Sequence, residues 1–206
     1  MMSELEVSAA HEVGPRVAKY GVAIWRGLVS EKVTSAFIEP VLKNAANKRL
    51  YISKKFGVIS PNILSPEVQE ACFVQEMKDV FWGMCPGGWR HHVSEIYLTG
   101  PRILPHLWHQ DATAETKGYD VFTWVAGTPC GIDQPGLSFA LGNPGRFIGG
   151  QEAAEKAAST MEIISPVFKP GDAFFFDIFS LHRTNQEPSM KYSRIAYKLG
   201  VQAALR

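Results

Sequence analysis

Lys169-Pro170-Gly171-Asp172-Ala173-Phe174-Phe175-Phe176-Asp177-Ile178-Phe179-Ser180-Leu181-His182-Arg183-Thr184 is the stretch that decides the fold. Pro170-Gly171-Asp172 reads as a tight turn. It feeds a strand over 173–179, whose aromatic run Phe174 to Phe176 suits a buried, pleated surface. That run is core. The turn accounts for Asp172, which leaves Asp177 as the other carboxylate nearby. His182 follows the strand.

The same grammar extends outward. Strands are predicted over 93–98, 121–126, 137–141, 162–168 and 193–202, separated by turn residues drawn from 18 Gly and 13 Pro. Many short strands with frequent turns indicate a sandwich or barrel. Residues 150–158, rich in Ala, Glu and Lys, predict a short helix within a loop. Upstream, residues 1–17 read as a loose lead-in. Tyr20 to Trp25 reads as a strand with Val22 and Ile24 on one face. Ser30 caps a helix in which Val33, Phe37 and Val41 recur every four residues, and Pro40 is expected to kink or end it. Ser65-Pro66-Glu67 starts another helix, running to about Trp82 and stopped by Gly83. The expectation is one domain over 1–206: helical elements mainly at 30–83, strands mainly at 93–202.

Composition agrees with one globular unit. Of 206 residues, 46% are apolar and 20% charged, enough for one sizeable core. Lys and Arg total 21 against 20 Asp and Glu, a net charge of +1. Such a chain has no global field to attract nucleic acid or anionic lipid. No apolar run approaches the ~20 residues that cross a bilayer. Cys72, Cys85 and Cys130 form no CxxC pair, so a reduced, cytoplasmic setting is expected. The expected partner is a small molecule, with no nucleic acid and no membrane, for a monomer or homodimer.

The chemistry centres on His109-Gln110-Asp111. In an extended segment, residues i and i+2 share a face, so an imidazole and a carboxylate stand side by side. They make two-thirds of the two-His-one-carboxylate set that holds non-haem Fe(II). Of the six histidines, His182 is the choice for the third ligand, since His11 lies in the lead-in. The plain reading of His-x-Asp is a loop histidine beside a turn-forming aspartate. Arg194 bears on that choice. It faces inward only if Ala196 and Lys198 share its face, and a buried cation needs an anion. A small dicarboxylate fits, because guanidinium binds carboxylate in a bidentate fork. The alternative is an Arg194 in solvent or paired with an aspartate. His91 and His92, adjacent on a strand, face opposite ways and read as structural or surface groups. Trp108, Arg183 and His106 are the candidates for substrate contact, against packing, a solvated strand end and a pocket wall, respectively.

Several blocks together resemble the phytanoyl-CoA dioxygenase family. They are Leu107 to Asp111, Phe122 to Ala126, Cys130 to Leu137, Lys169 to Asp172 leading to Leu181 to Thr184, and Arg194 beyond. Tyr20 to Leu28 is similar to the family's first strand, so the resemblance spans roughly 18–202. It implies a double-stranded β-helix, or jelly roll, of cupin-like form, mainly β with flanking helices. It also implies an Fe(II)- and 2-oxoglutarate-dependent dioxygenase that consumes O2 and releases succinate and CO2. By position, His109, Asp111 and His182 are the implied iron ligands and catalytic centre. Arg194 is the implied anchor of the distal carboxylate of 2-oxoglutarate, and Thr184 the hydroxyl beside it. Gln110 and Trp124 fall on the cosubstrate side, and Tyr97 is placed to add a hydrogen bond there. Asp111 stands where related halogenases carry a small residue, so hydroxylation is expected rather than halogenation. The neutral balance supplies no basic cluster for a CoA ester, which points to a smaller substrate, as in specialised-metabolite biosynthesis. The competing readings are a jelly-roll protein that binds or senses a metal or small ligand without turnover, and a cupin-type isomerase.

Overall fold

Side chains alternate across each C-terminal strand, and the two faces bury different partners. The computed structural model describes residues 2–46, 57–101 and 103–204. Its strands are β1 (Glu6–Val7), β2 (Ala23–Trp25), β3 (Val58–Ile59), β4 (Trp89–Thr99), β5 (Asp120–Ala126), β6 (Gly136–Ala140), β7 (Ile163–Ile164), β8 (Ala173–Asp177), β9 (His182–Asn185) and β10 (Arg194–Ala203). Its helices are α1 (Met2–Leu5), α2 (Ala10–Tyr20), α3 (Glu31–Ala46), α4 (Pro66–Cys72), α5 (Gln75–Met84) and α6 (Gln151–Ala158).

The large sheet has the order β1-β2-β8-β5-β10-β4-β3, and a small sheet has the order β7-β6-β9. In the large sheet Val121, Val125, Phe175, Ile195, Tyr197 and Leu199 turn outward. They pack with Val13, Val17, Phe37, Val41, Val80 and Phe81 of the helices. The residues between them, Phe122, Trp124, Phe174, Phe176 and Ala196, turn inward onto Leu137 and Phe139 of the small sheet. Each such aromatic contributes roughly 1.5–3 kcal/mol by leaving water. The result is mainly β with flanking helices, a jelly-roll core covered on its outer face by α2, α3 and α5. None of the described helices is long and apolar enough to cross a membrane.

The helical half departs from expectation in several places. Residues 2–17 are not a loose lead-in: Leu5, Val13 and Val17 are fully buried, anchoring α1 and α2. Tyr20 therefore ends a helix instead of opening a strand. α3 continues through Pro40, because one missing backbone bond is outweighed by the burial of Phe37 and Val41. Ser65 does cap α4, accepting from Val68 N at 3.4 Å. The helix it starts breaks at Phe73 and Val74, however, and resumes as α5. The strand expected over 162–168 shrinks to β7 plus a bridge at Phe168. The part of the 30–83 expectation that falls on 47–56 lies outside the described residues.

Candidate active site

The site is assembled by strand pairing. Residues 106–112 run antiparallel to 178–184. The pairing is held by Thr184 N to His106 O at 2.9 Å, by mutual His109–His182 backbone bonds of 3.0 Å, and by Ala112 N to Ile178 O at 3.0 Å. His109 and His182 therefore stand directly opposite each other, with ring centroids 4.3 Å apart. Asp111 reaches the same face two residues on. One ligand atom from each of His109, Asp111 and His182 lies within 4.8 Å of the other two.

The donor chemistry fits a divalent metal. His109 Nδ1 is 2.7 Å from the Leu107 carbonyl and His182 Nδ1 is 3.0 Å from that of Ser180. A carbonyl only accepts, so each Nδ1 carries the proton and each Nε2 keeps a lone pair for ligation. Burial, then the neighbouring His109, pushes His182 down to about 3, so it is neutral at physiological pH. Burial pushes the Asp111 carboxyl up, but the Lys198 ammonium beside it outweighs this and holds it well below the usual carboxylate range. Two imidazole nitrogens and one carboxylate suit ferrous iron with open positions for other ligands.

A cavity opens onto the three groups, also lined by Tyr97, His106, Trp124, Thr184, Arg194 and Lys198. Arg194 is fully enclosed. Its Nη1 donates to the Gly136 carbonyl, its Nη2 lies 3.5 Å from Thr99 Oγ1, and its guanidinium sits 4.9 Å from the Trp124 ring centre. Its Nε has no partner, and no carboxylate of the described residues forms an ion pair with it. Burial lowers its pKa only to about 10, so an uncompensated cation faces the cavity. Thr184 Oγ1 accepts from His106 N at 3.3 Å. The Tyr97 hydroxyl donates to Glu95 Oε2 at 2.6 Å.

Three expected contacts fall elsewhere. Trp108 and Arg183 each neighbour a ligand in sequence, so alternation turns them to the opposite face. There Trp108 packs with Ala140, Ala154, Ala158 and Leu181, and Arg183 lies 5.0 Å over its ring. Neither lines the cavity. Gln110 also points away: its Nε2 donates to Arg146 O and Phe179 O at 3.0 and 2.7 Å, and its Oε1 accepts from Ile148 N. It ties a loop to the site's backbone. His91 bonds Ser94, and His92 lies 3.7 Å from Asp120, both exposed on β4. The contact between Lys198 and Asp111 was the feature least visible in the sequence. Its one signal was that Lys198 shares the inward parity of Arg194.

The fold and the site together define a double-stranded β-helix with a candidate mononuclear metal centre. Solved structures share that fold. The non-heme alpha ketoglutarate dependent carbocyclase SnoK from nogalamycin biosynthesis superposes with a TM-score of 0.79 at 16% identity, over 96% of this chain and 87% of its own. EctD from S. alaskensis, solved with 2-oxoglutarate and 5-hydroxyectoine, gives 0.75 at 15% identity, over 96% and 76%. EvdO2 from Micromonospora carbonacea var. aurantiaca, complexed with 2-oxoglutarate, gives 0.70 at 15% identity, over 96% and 92%. No protein-family model and no curated protein matches the sequence.

Proposed function

We propose that the protein is an Fe(II)- and 2-oxoglutarate-dependent oxygenase acting on a small molecule, with hydroxylation as the default outcome. One observation carries this reading. The His109, Asp111 and His182 donors share a cavity with a buried guanidinium, Arg194, that lacks a carboxylate partner. A 2-oxoglutarate molecule supplies what that arrangement lacks: a carboxylate for the guanidinium and oxygens for a metal.

His109, Asp111 and His182 would hold the ferrous ion, which supplies oxidation coupled to the conversion of 2-oxoglutarate and O2 into succinate and CO2. The chain's own groups do the rest. Arg194 binds the far carboxylate, with Thr184 beside it, and Trp124 walls the cation off from water. The apolar wall of Phe176 and Leu137 lowers the local dielectric and strengthens that charge pairing. Kinship with the phytanoyl-CoA dioxygenases, a cytoplasmic location and a monomeric or homodimeric state belong to the same reading. The fold shared with the nogalamycin carbocyclase and with EctD, which was solved with 5-hydroxyectoine, supports a small-molecule substrate.

Anaerobic titration with Fe(II) and then 2-oxoglutarate tests it. The weak visible charge-transfer band of the chelate should appear, and admitting air with substrate should yield succinate. Iron uptake without that band would favour a binding or sensing protein.

A further inference from the structure

Among the described residues, Lys198 is the one charged group lining the cavity with no part in the scheme above. It lies on β10, opposite Glu95 of β4 and Trp124 of β5. Cross-strand geometry offers it Glu95 as a partner, but Glu95 takes the Tyr97 hydroxyl instead. The Lys198 side chain is only 10% exposed, and its Nζ lies 2.7 Å from Asp111 Oδ2. Its Nζ lies 4.2 Å from the Phe122 ring centre, a contact that favours a cation.

The Asp111 carboxylate is thereby divided. Oδ2 faces the ammonium at 2.7 Å, and Oδ1 lies 3.7 Å from His109 Nε2. A carboxylate beside a metal can ligate through one oxygen or both, and the choice depends on what holds the second oxygen. An ammonium there also repels a divalent cation across a short, poorly solvated gap.

Resting on the metal-site reading above, we propose that Lys198 is a positioning residue: it presents Asp111 to the metal through Oδ1 alone and, by competing for the same charge, weakens metal binding. Lys198 already pairs with the Asp111 carboxylate, so a metal ion must share Asp111 with the lysine. A lysine with a purely structural role would act in the opposite sense, since its loss would disorder Asp111 and cost affinity.

The test is Co(II) titration of the metal-free wild type, Lys198→Met and Lys198→Arg, each checked for folding by circular dichroism. Lys198→Met should bind Co(II) at least about tenfold more tightly than wild type, and Lys198→Arg, which keeps the charge, within about threefold of it. Crystals of the Co(II)-loaded proteins should show Asp111 ligating through one oxygen in wild type and through two in Lys198→Met. Should Lys198→Met fail to fold, Lys198→Gln replaces it under the same criterion. Unchanged or weaker Co(II) binding in a folded neutral variant overturns the proposal alone. A wild type that takes up no Co(II) overturns it together with the metal-site reading.

Discussion

His109 and His182 exchange both of their backbone hydrogen bonds, each 3.0 Å, so the two imidazoles are fixed as a directly opposed antiparallel pair. Their spacing is a property of strand register. A slip of one residue would turn His182 outward and bring Leu181 or Arg183 into its place. The segment around His109 is irregular, yet it is pinned to β9 as firmly as a strand.

Replacing His109 or Asp111 by Ala should abolish succinate formation and weaken Fe(II) or Co(II) binding by more than the ~10–100-fold that losing an outer partner costs. The fold should survive, because both side chains lie at the edge of the cavity and leave the apolar clusters intact. Equilibrium metal titration with coupled succinate assay checks this. Normal turnover in either variant would refute the ligand assignment.

Arg194→Ala should retain metal and lose 2-oxoglutarate. Removing one partner of a buried charge pair costs about 3–5 kcal/mol, which corresponds to a rise of about two to three and a half orders of magnitude in the 2-oxoglutarate requirement. Thermal shift reads this without turnover. In wild type under anaerobic Co(II), 2-oxoglutarate at 100 times its Kd should stabilise by about 2.7 kcal/mol. Arg194→Ala should show no shift at the same concentration. An unchanged shift would move the anchor to another cation.

The inward and outward faces of the C-terminal strands were legible because side-chain period is a strong local signal there. The His-x-Asp pair was legible for the same reason. What the sequence hid was tertiary. Trp108 and Arg183 look like site residues beside the ligands, but the pairing of 106–112 with 178–184 that aligns His109 with His182 turns their neighbours to α6. Gln110 is polar and central in its motif, yet its amide serves three backbone groups. Residues 2–20 carry weak local signals, including Pro15 within α2, and are ordered by packing onto the sheet. In the sequence Lys198 shows only that it shares a strand face with Arg194. Its partner, Asp111, is remote in sequence and became apparent only from the assembled cavity.

Gly171→Ala should destabilise the fold by more than the ~0.4–1 kcal/mol by which a glycine-to-alanine change stabilises a site whose backbone can accept it. Gly171 has φ of +89°, and an added Cβ would lie 2.1 Å from the Val29 carbonyl oxygen. That oxygen belongs to rigid backbone, and Gly171 itself bonds Ala126 O and Val29 N at 2.8 and 3.0 Å. The turn launches β8, the strand between β2 and β5. Urea unfolding should show a lower midpoint. A midpoint equal to that of wild type would mean the turn relaxes without cost.

The metal-free protein should lose stability as the pH falls from about 6.5 towards 4. In the unfolded chain a histidine titrates near 6.5. Burial depresses His182 to about 3 and His106 to about 4 in the folded protein. Between those values the unfolded state binds more protons, so stability is complete above about 6.5 and declines below it. The slope approaches ~1.4 kcal/mol per pH unit for each histidine fully neutral in the fold. His182, the more enclosed of the two, carries the larger share. Carboxylates such as Asp111, held low, contribute only at more acid pH, so the window between pH 7 and 5 isolates the imidazoles. Urea midpoints at pH 7, 6 and 5 measure the effect, and His106→Asn should shallow the slope while leaving the His182 contribution. Equal stability at pH 7 and pH 5 would contradict two imidazoles kept neutral by burial, and with it the electrostatic preparation of His182 as a ligand.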